Sequence, residues 1–121
     1  MNTTIWSDDM IDNPDSSAKV RRLNDEFRRT LTGGTVLMTA GMVALGADAQ
    51  AEVLAKVQAF DAFNADNDPW AEHDFGAIEV AGERIFFKLD YFDLTRAYHS
   101  SDPADPNVTE RVLTIMLASE Y

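Results

Sequence analysis

Residues 66–74 form the segment of this chain that is richest in chemically active side chains. Five ionisable groups fall within nine residues there: Asp66, Asp68, Glu72, His73 and Asp74. Carboxylate oxygens together with one imidazole form a ligand set that suits Mg²⁺, Mn²⁺ or Ca²⁺. The spacing departs from a calcium-binding loop, because Ala71 and Ala77 stand where Gly and Glu are required. Three interpretations stay open: a divalent-metal site, a loop held by Asp and Asn side chains bonded to nearby backbone, and a partner-binding surface.

The two histidines, His73 and His99, both lie in polar segments. An unperturbed imidazole titrates at about pH 6.5, so either residue could act as a general acid or base. The sequence contains no Gly-rich phosphate loop and no nucleophile elbow. We therefore interpret the chain as a protein without enzymatic activity and without a cofactor. A small metal-dependent enzyme that uses residues 66–74 is the alternative.

A second polar segment, residues 93–106, also carries carboxylates. Its two Asp-Pro pairs favour extended or turn geometry, so we expect a loop. The candidate partner-binding residues of the two loops are Asp66, Asp68, Glu72, His73, Asp74, Asp93, Asp102 and Asp105. Reversing the charges of Asp66, Asp68, Asp102 and Asp105 is the corresponding test of binding.

The charge of the whole chain limits its partners. The 121 residues include 21 Asp and Glu but only 10 Lys and Arg, so the net charge is −11. The electrostatic field of this negative charge repels nucleic acid and anionic membranes, so we expect direct contact with neither. It attracts a basic protein surface, although solubility alone would also explain it. Five of the bases lie within residues 19–29, and this basic segment could dock onto the acidic loops of the same chain or of a second copy in a homodimer.

The sequence has no cysteine, which excludes disulfides and thiolate metal sites. The first residues have neither the basic segment nor the apolar segment of a signal peptide. The longest mostly apolar stretch is far shorter than the roughly 20 residues that span a bilayer. We therefore expect a cytoplasmic protein.

Apolar periodicity predicts the elements that must position the loops. Val20, Leu23, Phe27 and Leu31 recur at helical spacing, which predicts a helix over 17–31 that ends at Gly33-Gly34. An Ala-rich segment predicts a second helix over 49–63. Segments rich in β-branched and aromatic residues predict strands over 35–40, 76–80 and 84–92. The last two strands flank a hairpin turn, and aromatic residues on both faces of 84–92 indicate a central strand.

The last element is predicted to be a helix over 107–119. Asn107 and Glu110 have the spacing of a capping box, and apolar residues follow on one helical side. The fold class is therefore α+β: a single domain with a three-stranded, mainly antiparallel sheet packed with about three helices. Residues 1–15 are interpreted as a flexible acidic arm and residues 16–121 as the domain.

Several segments resemble a family of small bacterial proteins known as domain of unknown function 3768. The resemblance runs roughly from Leu23 to Tyr121. Its segments are Asn24–Thr30, Asp66–Gly76, Phe87–Tyr91, Ser101–Pro106 and Thr109–Tyr121. Members of this family are often carried on plasmids, phages and other mobile elements. The resemblance implies that this chain is also carried on a mobile element, and it implies no catalytic role.

Mobile elements often encode small acidic proteins that block host defences, and this chain is similar to them in size, charge and lack of cysteine. We therefore interpret it as an acidic protein-binding inhibitor of the anti-CRISPR or DNA-mimic type, with a nucleic-acid-handling defence complex as its partner. The alternatives are the metal-dependent enzyme and a structural or regulatory domain.

Overall fold

The structure, a computed structural model, describes residues 14–121, with side-chain surroundings from Ser16 onward. The elements follow in the order α1 (Pro14–Thr30), β1 (Thr35–Met38), α2 (Ala40–Ala44), α3 (Ala47–Ala59), β2 (Phe75–Val80), β3 (Glu83–Phe92) and β4 (Glu110–Leu117). A 3₁₀ turn, Ala118–Glu120, ends the chain. The arm predicted over residues 1–15 lies outside the described residues except for Pro14 and Asp15, which begin α1.

The four strands form one mixed sheet in the order β1-β4-β3-β2. Strand β1 runs parallel to β4, and the other neighbours are antiparallel. The α+β class and the central position of residues 84–92 are confirmed. The prediction of three strands was wrong because β4 was not recognised as a strand.

The segment predicted as the last helix forms strand β4 instead. The run from Arg111 to Leu117 is apolar at nearly every position, so it contains helical spacing and strand alternation at once. Tertiary contacts decide between the two: β4 inserts between β1 and β3 and pairs with both. Most of its residues are buried because neighbouring strands flank it on both sides. The capping box predicted at Asn107 and Glu110 therefore caps no helix.

The two predicted N-terminal helices are present with shifted ends. Helix α1 stops at Thr30 because Leu31 adopts a left-handed backbone with φ of 59°, two residues before the predicted glycine turn. Helix α3 stops at Ala59, earlier than predicted, and Phe60 is already extended. This early end lets Phe60 pack edge to face against Phe87 of β3. Strand β1 ends at Met38, before the predicted Ala40, and residues 40–44 form the short helix α2, which was not predicted.

The core lies between the helices and one face of the sheet. Alternate residues of β3, from Ile85 to Tyr91, are buried on this face, and they pair with alternate residues of β4 from Arg111 to Leu117. Val53 and Val57 of α3 and Phe27 of α1 complete the same cluster. No helix within residues 14–121 is both long enough and apolar enough to cross a membrane.

Candidate functional site

The two acidic loops lie along opposite sides of helix α1. The first loop, residues 60–74, connects α3 to β2, and the guanidinium of Arg21 donates to the Ala71 carbonyl oxygen at 2.8 Å. The second loop, residues 93–109, connects β3 to β4, and its Ala104 and Pro106 line a groove with Leu23. On a helix of 3.6 residues per turn, Arg21 and Leu23 point in nearly opposite directions. The two loops therefore lie on opposite sides of helix α1. This placement could not be predicted from the sequence alone.

Asn24, on the buried face of α1, joins the two loops through hydrogen bonds. Its side-chain amide donates to the Glu72 carbonyl oxygen at 3.0 Å and to the Tyr91 hydroxyl at 2.8 Å. Its Oδ1 accepts from Arg111 Nε at 2.9 Å. The Arg111 guanidinium in turn donates to the Pro103 carbonyl oxygen in the second loop. Asn24 and Arg111 are almost fully buried, so these bonds form away from competing water.

Tyr91 and Arg111 are adjacent partners on β3 and β4 and complete this network. The Tyr91 hydroxyl donates to Glu72 Oε1 at 2.9 Å, and the Arg111 guanidinium lies 5.4 Å from the Tyr91 ring centre. Burial, with the negative charge of Glu72 contributing, raises the pKa of the Tyr91 phenol. Burial lowers the pKa of Arg111. The phenol therefore remains protonated and serves as a hydrogen-bond donor to the Glu72 carboxylate.

His73 lies between two carboxylates and against an aromatic ring. Its Nδ1 is 2.8 Å from Asp25 Oδ1 on α1, and its Nε2 is 3.8 Å from Asp68 Oδ2 within the loop. Its ring stacks on Phe63, with ring centres 4.0 Å apart and planes within 4°. His73 has a left-handed backbone with φ of 58°, a conformation that costs a non-glycine residue about 1 kcal/mol or more. These contacts hold the imidazole in one orientation and offset that cost.

Asp68 organises the first loop from inside. Its carboxylate accepts the backbone N–H of Glu72 at 2.9 Å and that of His73 at 3.1 Å. Only 6% of the residue is exposed. Asp68 is therefore a structural acceptor within the loop, and its oxygens are directed toward the protein.

Arg28 of α1 is buried, although an arginine side chain is rarely buried without a partner. Its guanidinium donates to the Val57 carbonyl oxygen at 2.9 Å and to Asp25 Oδ1 at 3.0 Å. It also lies 5.3 Å from the Phe63 ring centre. Arg28 thereby ties α1 to α3 and fixes the carboxylate that holds His73.

The remaining predicted binding residues differ in exposure. Asp66 and Asp102 are exposed. Asp93 is partly exposed, and its carboxylate accepts the Thr95 hydroxyl at 2.7 Å, which is the main cause of its lowered pKa. Asp105 is partly exposed and accepts the Asn107 backbone N–H at 2.8 Å. Asp66 and Asp102 are therefore the two loop carboxylates in the predicted set that are most accessible to a partner.

The predicted metal ligands do not converge. Asp68 is engaged with backbone N–H groups and Glu72 with the Tyr91 hydroxyl, whereas Asp66 is exposed to solvent. Throughout residues 14–121, no three His, Asp or Glu side chains are arranged to hold a metal ion. His99, the other predicted acid–base candidate, is exposed and lies near the Tyr91 ring, at 6.3 Å between ring centres.

Asp74 provides a pH-dependent test of this site. Burial raises the pKa of Asp74 above its ordinary value of 3.8, and the charges of Glu72 and Asp68 raise it further. Between pH 3.8 and the pKa of Asp74 in the folded state, the folded chain binds more protons than the unfolded chain, so stability falls as pH rises through that window. We expect Asp74→Asn to increase the free energy of unfolding at pH ~7 and to have little effect below pH ~3.8.

Urea denaturation at both pH values measures this difference. The exposed Asp66→Asn, in the same loop, is the matched control and should change the free energy of unfolding little at either pH. A loss of stability in Asp74→Asn at neutral pH would contradict the prediction.

Sequence reasoning did not identify the residues that join the loops: Asn24, Asp25, Arg28, Tyr91 and Arg111. A signal for two of them was present, since Asn24 and Arg28 lie four and eight residues after the buried Val20 and so share its helical face. A polar residue on a core-facing position requires a buried partner. The partners of Asn24 lie 48 to 87 positions away and could not be inferred from spacing.

The family model described as Protein of unknown function (DUF3768) matches residues 38–120. That range contains both acidic loops and strands β2 to β4, and it excludes α1 with Asn24. No curated protein and no solved structure matches the chain.

Proposed function

Because the chain belongs to the family described as Protein of unknown function (DUF3768), we propose its function from its own geometry: it is an acidic protein-binding inhibitor that uses its exposed carboxylates to bind a basic partner surface. The partner is a nucleic-acid-handling defence complex, of the kind that an anti-CRISPR or DNA-mimic protein inhibits. This proposal builds on the mobile-element context that the sequence resemblance implies.

The observation that carries this proposal is the balance of exposed charge beyond α1. All five bases in residues 31–121 are either ion-paired or buried. The pairs are Lys56–Glu52, Arg84–Glu79, Lys88–Asp90 and Arg96–Glu110, and the buried base is Arg111. The exposed side-chain carboxylates without an ion pair are Asp48, Asp61, Asp66, Glu83, Asp102 and Glu120, of which Glu120 accepts hydrogen bonds from the Thr39 hydroxyl and two backbone N–H groups. The charge that remains available to a partner from this part of the chain is therefore negative.

The hydrogen bonds of Asn24 hold both acidic loops in place, which makes two of these carboxylates suitable for binding. Asp66 and Asp102 belong to loops that the Asn24 network joins to the same helix and sheet. A loop that is already ordered loses less conformational entropy on binding than a free segment does. A nuclease or CRISPR effector has a channel lined with Lys and Arg that holds a polyanion. Long-range attraction would draw an acidic domain to that channel, and its carboxylates could pair there with guanidinium groups.

Capture of partners from a host lysate tests the proposal. Immobilised protein should retain nucleic-acid-handling proteins at low salt and release them at high salt, because exposed charges are screened beyond about 8 Å at physiological ionic strength. Recovery of no such protein at low salt would count against an inhibitor and favour acidity that serves only solubility.

A charge-reversal pair tests the role of the two loops. We expect Asp66→Lys combined with Asp102→Lys to weaken partner binding by at least about tenfold, because each change removes an attraction and adds a repulsion. Asp68 and Asp105 are left unchanged because Asp68 is buried and Asp105 is only partly exposed, whereas Asp102 is exposed although it accepts the Ala104 N–H at 3.2 Å. Titration of the captured partner by calorimetry measures the affinity, and an unchanged melting temperature confirms folding.

The matched control is Asp48→Lys combined with Glu83→Lys, at two other exposed carboxylates without ion pairs. It changes the net charge by the same amount outside the loops, in α3 and at the β2–β3 hairpin. Equal weakening by both pairs would show that net charge alone governs binding and would contradict a role for the loops.

A further inference from the structure

The face of the sheet opposite the helices carries no helix of residues 14–121. Helix α3 contacts β2, and α2 contributes the buried Met42 to the same core, so both lie on the core side. Strand alternation directs Ile85, Phe87 and Leu89 to that side and therefore directs Phe86 and Lys88 to the other. We call this second surface the open face.

Part of the open face is an aromatic cluster. Phe75 of β2 and Phe86 of β3 lie 5.0 Å apart between ring centres, and Tyr121 packs on both, at 5.9 and 5.5 Å. Tyr121 is nonetheless 72% exposed. On the edge strand β1, Leu37 is 49% exposed, and its pairing with Thr114 assigns it to the same face. Val112 and Met116 of the central strand β4 also lie on this face, but they are only 5% and 4% exposed, so its exposed large apolar side chains are Leu37 and Tyr121.

The open face is also electrically balanced, unlike the chain as a whole. Three ion pairs lie on it: Arg84–Glu79, Lys88–Asp90 and Arg96–Glu110. Glu79 and Arg84 face each other directly across β2 and β3, and Lys88 and Asp90 alternate along β3. Lys88 Nζ lies 3.3 Å from Asp90 Oδ2. A chain of net charge −11 thus keeps one surface, partly apolar and partly charged, on which these ion-paired charges cancel.

We propose that the open face is the surface through which two copies of this chain associate. A two-fold axis brings the same surface of both copies together, so the surface must complement itself. In such an arrangement Lys88 of one copy lies near Asp90 of the other, which an alternating pair permits. Two acidic chains repel each other least where their charges are already balanced.

The size of the face is adequate for a modest interface. The four strands contain 28 residues, and at ~3.3 Å per residue and ~4.8 Å between strands they cover a flat area of roughly 440 Å². Standing side chains add to the accessible area, which stays below the ~800 Å² per partner of a standard interface, so we expect a weak dimer. This association is independent of the proposed binding to a basic partner, because it uses a different surface and a different force.

Sedimentation equilibrium of the full chain at low and high salt tests the proposal. We expect a monomer–dimer equilibrium that becomes tighter with salt, because salt screens the repulsion between two acidic chains while apolar contact persists. Binding to a basic partner should weaken with salt, so the two proposals can fail separately. A monomer at every concentration and salt would overturn this inference. Coverage of the face by residues 1–13 of the same chain would give this result and would overturn it equally.

A pair of substitutions with matched exposure identifies the surface. Tyr121→Ser should raise the dimer dissociation constant by about a hundredfold, since loss of an interface aromatic costs about tenfold and the dimer loses it twice. Trp70→Ser, also at a residue that is 72% exposed but in the first acidic loop, should leave the constant unchanged. Equal effects of both, or no effect of Tyr121→Ser, would contradict the open face and would favour another surface, such as a free strand edge.

A charge swap provides a second readout that does not depend on Tyr121. Lys88→Asp alone places like charges at the proposed contact and should weaken the dimer by at least about tenfold. Adding Asp90→Lys restores a balanced pair in reversed order and should recover most of the affinity. Absence of recovery in a folded double variant would count against the two-fold arrangement.

Discussion

Replacement of Asn24 by Leu should destabilise the domain by about 3–5 kcal/mol, because it leaves a buried guanidinium and other polar groups without partners. Leu is similar to Asn in size but can neither donate to the Glu72 carbonyl oxygen and the Tyr91 hydroxyl nor accept from Arg111 Nε. A domain of this kind has a total stability of about 5–15 kcal/mol, so the loss is a large fraction of it. Urea denaturation measures the free energy, and calorimetry should show a melting temperature roughly 15 °C lower.

The control for Asn24 is the same substitution at Asn107. Asn107 is exposed, and its side chain makes no hydrogen bond to any residue of the described range 14–121. Asn107→Leu should therefore change the free energy of unfolding by less than about 0.5 kcal/mol. If Asn24→Leu were as mild as this control, the Asn24 network would not be what joins the two acidic loops.

Replacement of Asp68 by Ala should release the first acidic loop and cost about 2–3 kcal/mol of stability. The carboxylate accepts the N–H groups of Glu72 and His73, and Ala offers them no acceptor. The left-handed conformations of Ala71 and His73, with φ of 56° and 58°, also lose a contact that holds them. Hydrogen exchange at the Glu72 and His73 amides should accelerate, because local opening of the loop becomes less costly.

Asp66→Ala is the matched control for Asp68, since Asp66 is exposed in the same loop. It should leave the two amide exchange rates unchanged while it weakens binding to the proposed basic partner. The two variants therefore separate a carboxylate that builds the loop from one that is available for binding. Faster exchange in Asp66→Ala of the same size would contradict this division.

The sequence alone determined the elements whose periodicity has a single interpretation. The long helix α1 and the hairpin of β2 and β3 were predicted because helical spacing and strand alternation differ clearly in those segments. The hairpin turn also has the chemistry it needs: Ala81 and Gly82 both take positive φ, which suits the twist of the flanking strands. The polar composition likewise predicted loops near residues 64–75 and 93–106. The family resemblance is confirmed over residues 38–120.

Tertiary structure decided the identity of β4 and the role of each loop carboxylate. An apolar run such as Val112–Leu117 satisfies both periodicities, and only pairing with β1 and β3 makes it a strand. Asp66 and Asp68 are two residues apart and chemically identical, yet one is exposed and the other accepts backbone N–H groups from within the loop. Residue type determines what a side chain can do. Burial and partners determine what it does: Asp68 accepts N–H groups inside a loop that Asn24 joins to Arg111, 87 positions further along the chain.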